Sequence, residues 1–142
     1  LGRFEHRLRM PGDLTPMSTL SHLPHEDLRA WQACYQLAVS IYKVSRVWPS
    51  EERYGLTAQV RSAAFSAGAN IAEGFAREGP RELHRFLSIA LGSLAELHFA
   101  LRLARDTGIL EPEAWAVLES ERQIAGRLTG ALAKSVRQRR RP

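Results

Sequence analysis

The chain has 142 residues, 44% of them hydrophobic and 25% charged, and its Lys and Arg outnumber Asp and Glu by 20 − 15 = +5. That length suits one domain with a substantial core, no run of eighteen apolar residues is present to span a membrane, and a single cysteine, Cys34, excludes an intrachain disulfide framework or a thiolate metal site. The basic balance favours contact with a polyanion without requiring it.

In chain order, the stretch up to Pro24 contains Pro11, Gly12 and Pro16 and holds no sustained period. It is predicted to be a flexible arm over residues 1–24. It opens on Leu1, so either an upstream part precedes it or the start codon is non-standard, with Met10 and Met17 as other candidate starts. Its basic residues come without an apolar h-region, so it does not read as a secretory signal, and the cytoplasm is the expected compartment.

Four helix-patterned segments follow. The first lies between Pro24 and Pro49, with Leu28, Trp31, Tyr35, Ala38, Ile41, Tyr42 and Trp48 at spacings of three and four as its predicted core stripe. Cys34 falls within it and reads as a buried, inert thiol. "WPSEERYG" is the loop. The second segment, about Leu56 to Arg77, ends at Gly79 and Pro80, and Pro80 fits the first turn of the third. The third buries Leu83, Phe86, Leu87, Ala90, Leu94, Leu97 and Leu101 and stops near Gly108. The fourth starts about Pro112, with Glu111 and Glu113 where the helix dipole favours acids. Its predicted stripe is Ala114, Val117, Ile124, Leu128, Ala131 and Leu132. No strand-like alternation occurs, so the expected fold is all-α: an antiparallel up-down-up-down four-helix bundle over residues 25–137, with a basic tail over 138–142.

The second segment holds the feature that asks for a function. Gln59, Ser62, Ser66, Asn70, Glu73 and Arg77 are spaced 3, 4, 4, 3 and 4 and form one polar line. Beside it runs Val60, Ala63, Ala67, Ile71 and Gly74. The far flank of Ala58, Phe65, Ala69, Ala72 and Ala76 is also uncharged, with Arg61 alone demanding water. A helix apolar on two flanks cannot bury both within one bundle. Phe99 and Leu103 likewise point away from the leucine stripe of the third segment. Both features predict a second burial surface and hence a homo-oligomer. The polar line then reads as a seam of hydrogen-bonding groups, formed by Gln59, Arg61, Ser66, Asn70, Glu73 and Glu96 with Phe99 and Leu103 beside it. Ser93, Glu96 or Arg61 of a neighbouring chain are the expected partners of Asn70 and Glu73. A ligand-binding face is the alternative.

The last segment, "KSVRQRRRP", contains Lys134, Arg137, Arg139, Arg140 and Arg141 and no acid. It reads either as a solvated helix end whose cations suit the dipole or as a phosphate-contacting tail. Catalytic patterns are missing. A di-iron bundle needs Glu-x-x-His on two helices, and the near misses Glu82–His84 and Glu96–His98 have the wrong spacing. His22 and His25 lack further metal ligands. There is no Gly-rich phosphate loop and no nucleophile elbow. No enzyme activity, metal or cofactor is expected.

The stretch from "DLRAWQACYQ" through "YGLTAQVR" (Tyr54 to Arg61), "NIAEG" (Asn70 to Gly74) and "FLSIALGSLAEL" (Phe86 to Leu97) resembles a known family. It is similar to the four-helix-bundle proteins encoded in intervening sequences of bacterial large-subunit ribosomal RNA genes. The resemblance runs from about Asp27 to the end of the fourth segment. "SAGAN" departs from that family's proline-containing pattern, which bears on a kink in the second helix. Members are similar to the accessory variability determinant of diversity-generating retroelements, a five-membered ring that works with a reverse transcriptase and its structured RNA. The resemblance therefore implies a homopentamer, nucleic-acid contact through basic surface and no catalytic residues. The functional expectation is a non-catalytic oligomeric RNA-binding adapter, with a reverse transcriptase as a further partner. The alternative is a structural or protein–protein adapter that binds no nucleic acid.

Overall fold

A computed structural model of the chain describes residues 23–139. Residues 1–22 of the arm expected over 1–24, and Arg140 and Arg141 of the tail, lie outside the described residues. Four helices form: α1 (Arg29–Ser45), α2 (Leu56–Ala76), α3 (Pro80–Asp106) and α4 (Pro112–Arg139). Single 3₁₀ turns sit at Pro24–Asp27 and Ser50–Glu52, and no strand occurs among the described residues. α4 runs two residues beyond the expected bundle end at 137, so the cations up to Arg139 are still helical.

Local chemistry explains where each helix begins and ends. The Glu52 carboxylate accepts the Leu56 backbone N–H at 3.0 Å and caps α2. Gly79, with φ 83°, makes the left-handed turn into α3, and Pro80 takes the first helical position, where its missing N–H costs nothing. Gly108, with φ 81°, closes α3. There the Ile109 N–H returns to the Ala104 carbonyl at 2.9 Å and the Gly108 N–H to the Arg105 carbonyl at 3.1 Å, the paired bonds of a Schellman end.

The helices pack as a ring in which α1 meets α2 and α4, and α3 meets α2 and α4, with α2 and α3 sharing the most extensive contact. Cross-helix pairs show the antiparallel sense. Along α2 and α3, Ser66 meets Ser93 while Gly74 lies against Phe86. Along α1 and α4, Cys34 meets Thr129 while Ser40 meets Glu121. The core is filled by Leu37, Ile41, Val60, Ile71, Leu87, Leu94, Leu97, Leu101, Leu118 and Val136, all at most 2% exposed. Each such side chain contributes about 1.5–3 kcal/mol. The predicted stripe of α3 is the observed one from Phe86 to Leu101, with Leu83 only half-buried at its start. By length and composition α3 could also cross a bilayer, but here Leu87, Leu94, Leu97 and Leu101 are buried against the neighbouring helices.

The stripes expected on α1 and α4 are each displaced by one residue, about 100° around the helix. α1 buries Ala30, Cys34, Leu37 and Ile41, whereas Tyr35 and Tyr42 are exposed and Leu28, Trp31 and Ala38 only half-buried. α4 buries Leu118, Ala125, Thr129, Ala133 and Val136, leaving Val117, Ile124 and Ala131 outside. On α1 the small Cys34 is the residue that meets both neighbours: an added Cβ on Gly68 of α2 would make ordinary contact with it at 3.7 Å, and Thr129 of α4 lies 3.9 Å from its sulfur. Cys34 itself is fully buried, as expected, and desolvation pushes its thiol up to about 11.

Candidate nucleic-acid interface and assembly face

The polar line of α2 does not hold together as one seam. Its centre is half-buried and internally satisfied. The Asn70 amide donates to the Ser66 carbonyl at 2.8 Å and to Ser66 Oγ at 2.9 Å, while the Ser93 hydroxyl of α3 donates to Ser66 Oγ at 2.9 Å. Ser93 is thus the partner that draws this line onto α3, through Ser66 rather than directly to Asn70. Within this chain Glu73 is half exposed and pairs with Arg77 one turn on at 3.0 Å. Arg61 lies off the line, around the helix toward α1. Its Nε donates to Ser45 Oγ at 2.9 Å and its guanidinium covers the Tyr42 ring at 4.7 Å, so it ties α2 to α1 of its own chain. Gln59 and Glu96 face solvent.

Outside this line the surface is unusually apolar. Phe65 on α2 is 67% exposed and Phe99 on α3 is 70% exposed, with Leu103, Ile89, Tyr35 and Tyr42 also outward. Between Arg61 and Glu73, α2 carries no charged residue at all. Ala69 and Ala72 keep its outer face shallow.

The antiparallel topology decides where the cations gather. α4 ends at the same end of the bundle as the turn between α2 and α3, so Lys134, Arg137 and Arg139 join Arg77, Arg81 and Arg85 there. Arg77 and Arg139 line one hollow of ≈ 320 Å³, whose apolar floor includes Phe75, Pro80, Leu83 and Val136. Arg81, His84 and Arg85 line an adjacent open groove on the first turns of α3. Glu73 and Glu82 pair with Arg77 and Arg85, and Glu78 adds one further acid. Arg81, Lys134, Arg137 and Arg139 have no carboxylate partner among the described residues. Sequence reasoning found only the α4 half of this surface. Arg77, Arg81 and Arg85, four apart across the Gly-Pro turn, were the signal for the other half, since an up-down-up-down order puts that turn beside the end of α4.

One buried carboxylate sits elsewhere, between α3 and α4. Glu119 receives Arg122 Nε at 2.8 Å and Nη2 at 2.6 Å, and His98 Nδ1 lies 3.0 Å from it. The Arg122 hydrogen bonds, opposed by burial and reinforced by His98, hold its pKa down at about 2. A carboxylate so strongly ionised is a poor proton acceptor near neutrality, and its role is to lock two helices. Among the described residues no group of three or more His, Cys, Asp or Glu is placed to hold a metal ion.

Comparison with known proteins gives two findings. A protein-family model described as 23S rRNA-intervening sequence protein matches residues 26–130. A crystal structure of a protein of unknown function from the S23 ribosomal protein family of Bacteroides thetaiotaomicron has a similar fold. Its TM-score is 0.69 at 21% identity, over 74% of this chain and 95% of that one. No curated protein matches the sequence.

Proposed function

The chain belongs to the 23S rRNA-intervening sequence protein family, and from that premise we propose that it works as a non-catalytic, homo-oligomeric adapter that binds RNA. The observation that carries the proposal is the convergence of Lys134, Arg137 and Arg139 with Arg77, Arg81 and Arg85 at one end of the bundle. Repeating that end in several copies would multiply phosphate contacts without any new residue. The outward Phe65, Phe99 and Leu103 supply the surface for self-association. A ring of five and a partnership with a reverse transcriptase are what the resemblance adds to this reading, with the cytoplasm as the place of work.

Light scattering of the purified protein, alone and with a structured RNA at low and high salt, tests the proposal. The expected result is a multimer of the 15.9 kDa chain that takes up RNA at low salt and releases it at high salt, as counterion release requires. A monomer that ignores RNA refutes it. The same apolar faces would also serve a purely structural oligomer, and an assembled protein that never takes up RNA would establish that second reading.

A further inference from the structure

We infer that the basic end of the bundle recognises an unpaired nucleotide, seating one base in the hollow between the α2–α3 turn and the end of α4. This rests on the RNA-binding reading and names the kind of RNA. A surface built only for phosphates has no use for an apolar floor. Here Phe75, Pro80, Leu83 and Val136 line the hollow, while Arg77 and Arg139 line it as its cations.

Phe75 lines the hollow and is 40% exposed, so its side chain is open to a ligand there. Base stacking on an aromatic ring is tolerant of sequence and available to single strands, whereas bases in a duplex are already stacked. At ≈ 320 Å³ the hollow lies at the lower end of small-ligand sites, which run from about 300 to 1,000 Å³, and suits one base rather than a larger group. The turn itself makes room, because Gly79 has no side chain and a Cβ built on it would meet nothing within 4 Å.

Charge chooses the occupant. A second copy docked through this same end would bring the same cations to the same place, and like charges repel. A nucleotide brings the base for the floor and phosphates for Arg77 and Arg139. The Arg77–Glu73 pair is a solvent-exposed ion pair of the weak surface kind, so a phosphate can compete for that guanidinium.

The test is fluorescence anisotropy with a labelled single-stranded RNA of about 12 nucleotides, within the usual site sizes for single strands, and with the same strand paired as a blunt duplex. The full-length protein should bind the single strand more tightly than the duplex. Phe75→Ala should weaken single-strand binding about 5- to 160-fold and remove the preference while leaving the salt slope unchanged. Phe75→Trp, which keeps a ring, should retain both affinity and preference and so separates stacking from folding. Arg139→Ala should lower the salt slope by about 0.7. Equal binding of strand and duplex, with Phe75→Ala neutral, overturns the base-seating inference and leaves the adapter reading standing. Failure to bind either RNA at low salt overturns both.

Discussion

The contact between α2 and α3 depends on one glycine, and replacing it is the sharpest test of the packing argument. A Cβ on Gly74 would stand 2.6 Å from Phe86 Cβ, 3.3 Å from Leu83 Cδ1 and 3.4 Å from the Leu83 carbonyl oxygen. Carbon atoms prefer about 3.5–4.0 Å. Phe86 Cβ is bonded directly to the α3 backbone and cannot swing aside, so the two helices must separate locally. Overpacking of this kind costs about 1–3 kcal/mol. Against it stands the gain of about 1 kcal/mol from Ala over Gly in a helix interior.

Gly130 on α4 provides the control, because a Cβ there meets nothing within 4 Å. Gly130→Ala should therefore raise stability by about 0.5–1 kcal/mol, and Gly74→Ala should fall about 1–3 kcal/mol below it, ending between level with the parent and about 2.5 kcal/mol less stable. Urea unfolding followed by circular dichroism reads both midpoints, and equal protein concentrations keep self-association from entering the comparison. A Gly74→Ala protein as stabilised as Gly130→Ala would refute the close approach of α2 and α3.

Three further outcomes follow from the geometry. The depressed pKa of Glu119, about 2 against an ordinary 4.5, contributes stability that is fully present above pH 4.5 and lost as pH falls toward 2. The ceiling is about 3 kcal/mol, and Glu119→Gln should flatten that part of a pH–stability profile; an unchanged profile would remove Glu119 from the account. The Cys34 thiol, buried and pushed up to about 11, should resist a thiol reagent at pH 8 until urea unfolds the chain, and fast labelling of the native protein would contradict its burial. Phe65→Glu and Phe99→Glu place charge on outward rings and should shift the scattering mass toward monomer with little change in helicity, while an unaltered mass would exclude those faces from assembly.

The α3 leucine stripe and the helix ends were readable along the chain because their causes are local. Gly79–Pro80 and Gly108 set φ values and hydrogen bonds within one turn, and Leu87, Leu94 and Leu101 leave one apolar row without a competitor. α1 and α4 each offered two such rows a residue apart. Periodicity alone favours the bulkier row, with Trp31, Tyr35 and Tyr42 on α1 and Val117 and Ile124 on α4. What decided the matter was the partner surface. On α1 it is the small Ala30 and Cys34 that are buried, with Cys34 in ordinary contact with Gly68 of α2. Thr129, polar by type, is fully buried with its hydroxyl 3.9 Å from the Cys34 sulfur.

The same division holds for the site. The sequence by itself determined that cations crowd the end of α4, that Phe99 and Leu103 turn away from their own stripe, and that no catalytic spacing is present. Only the tertiary structure joined Arg77 to Arg139 around one apolar hollow, tied Arg61 to α1 of its own chain, and broke the polar line into a satisfied Ser66–Asn70–Ser93 centre with solvated ends. The physical reason is separation along the chain. A cap or a stripe is fixed by residues three or four apart, whereas a hollow shared by positions 77 and 139 exists only after antiparallel packing brings two helix ends together.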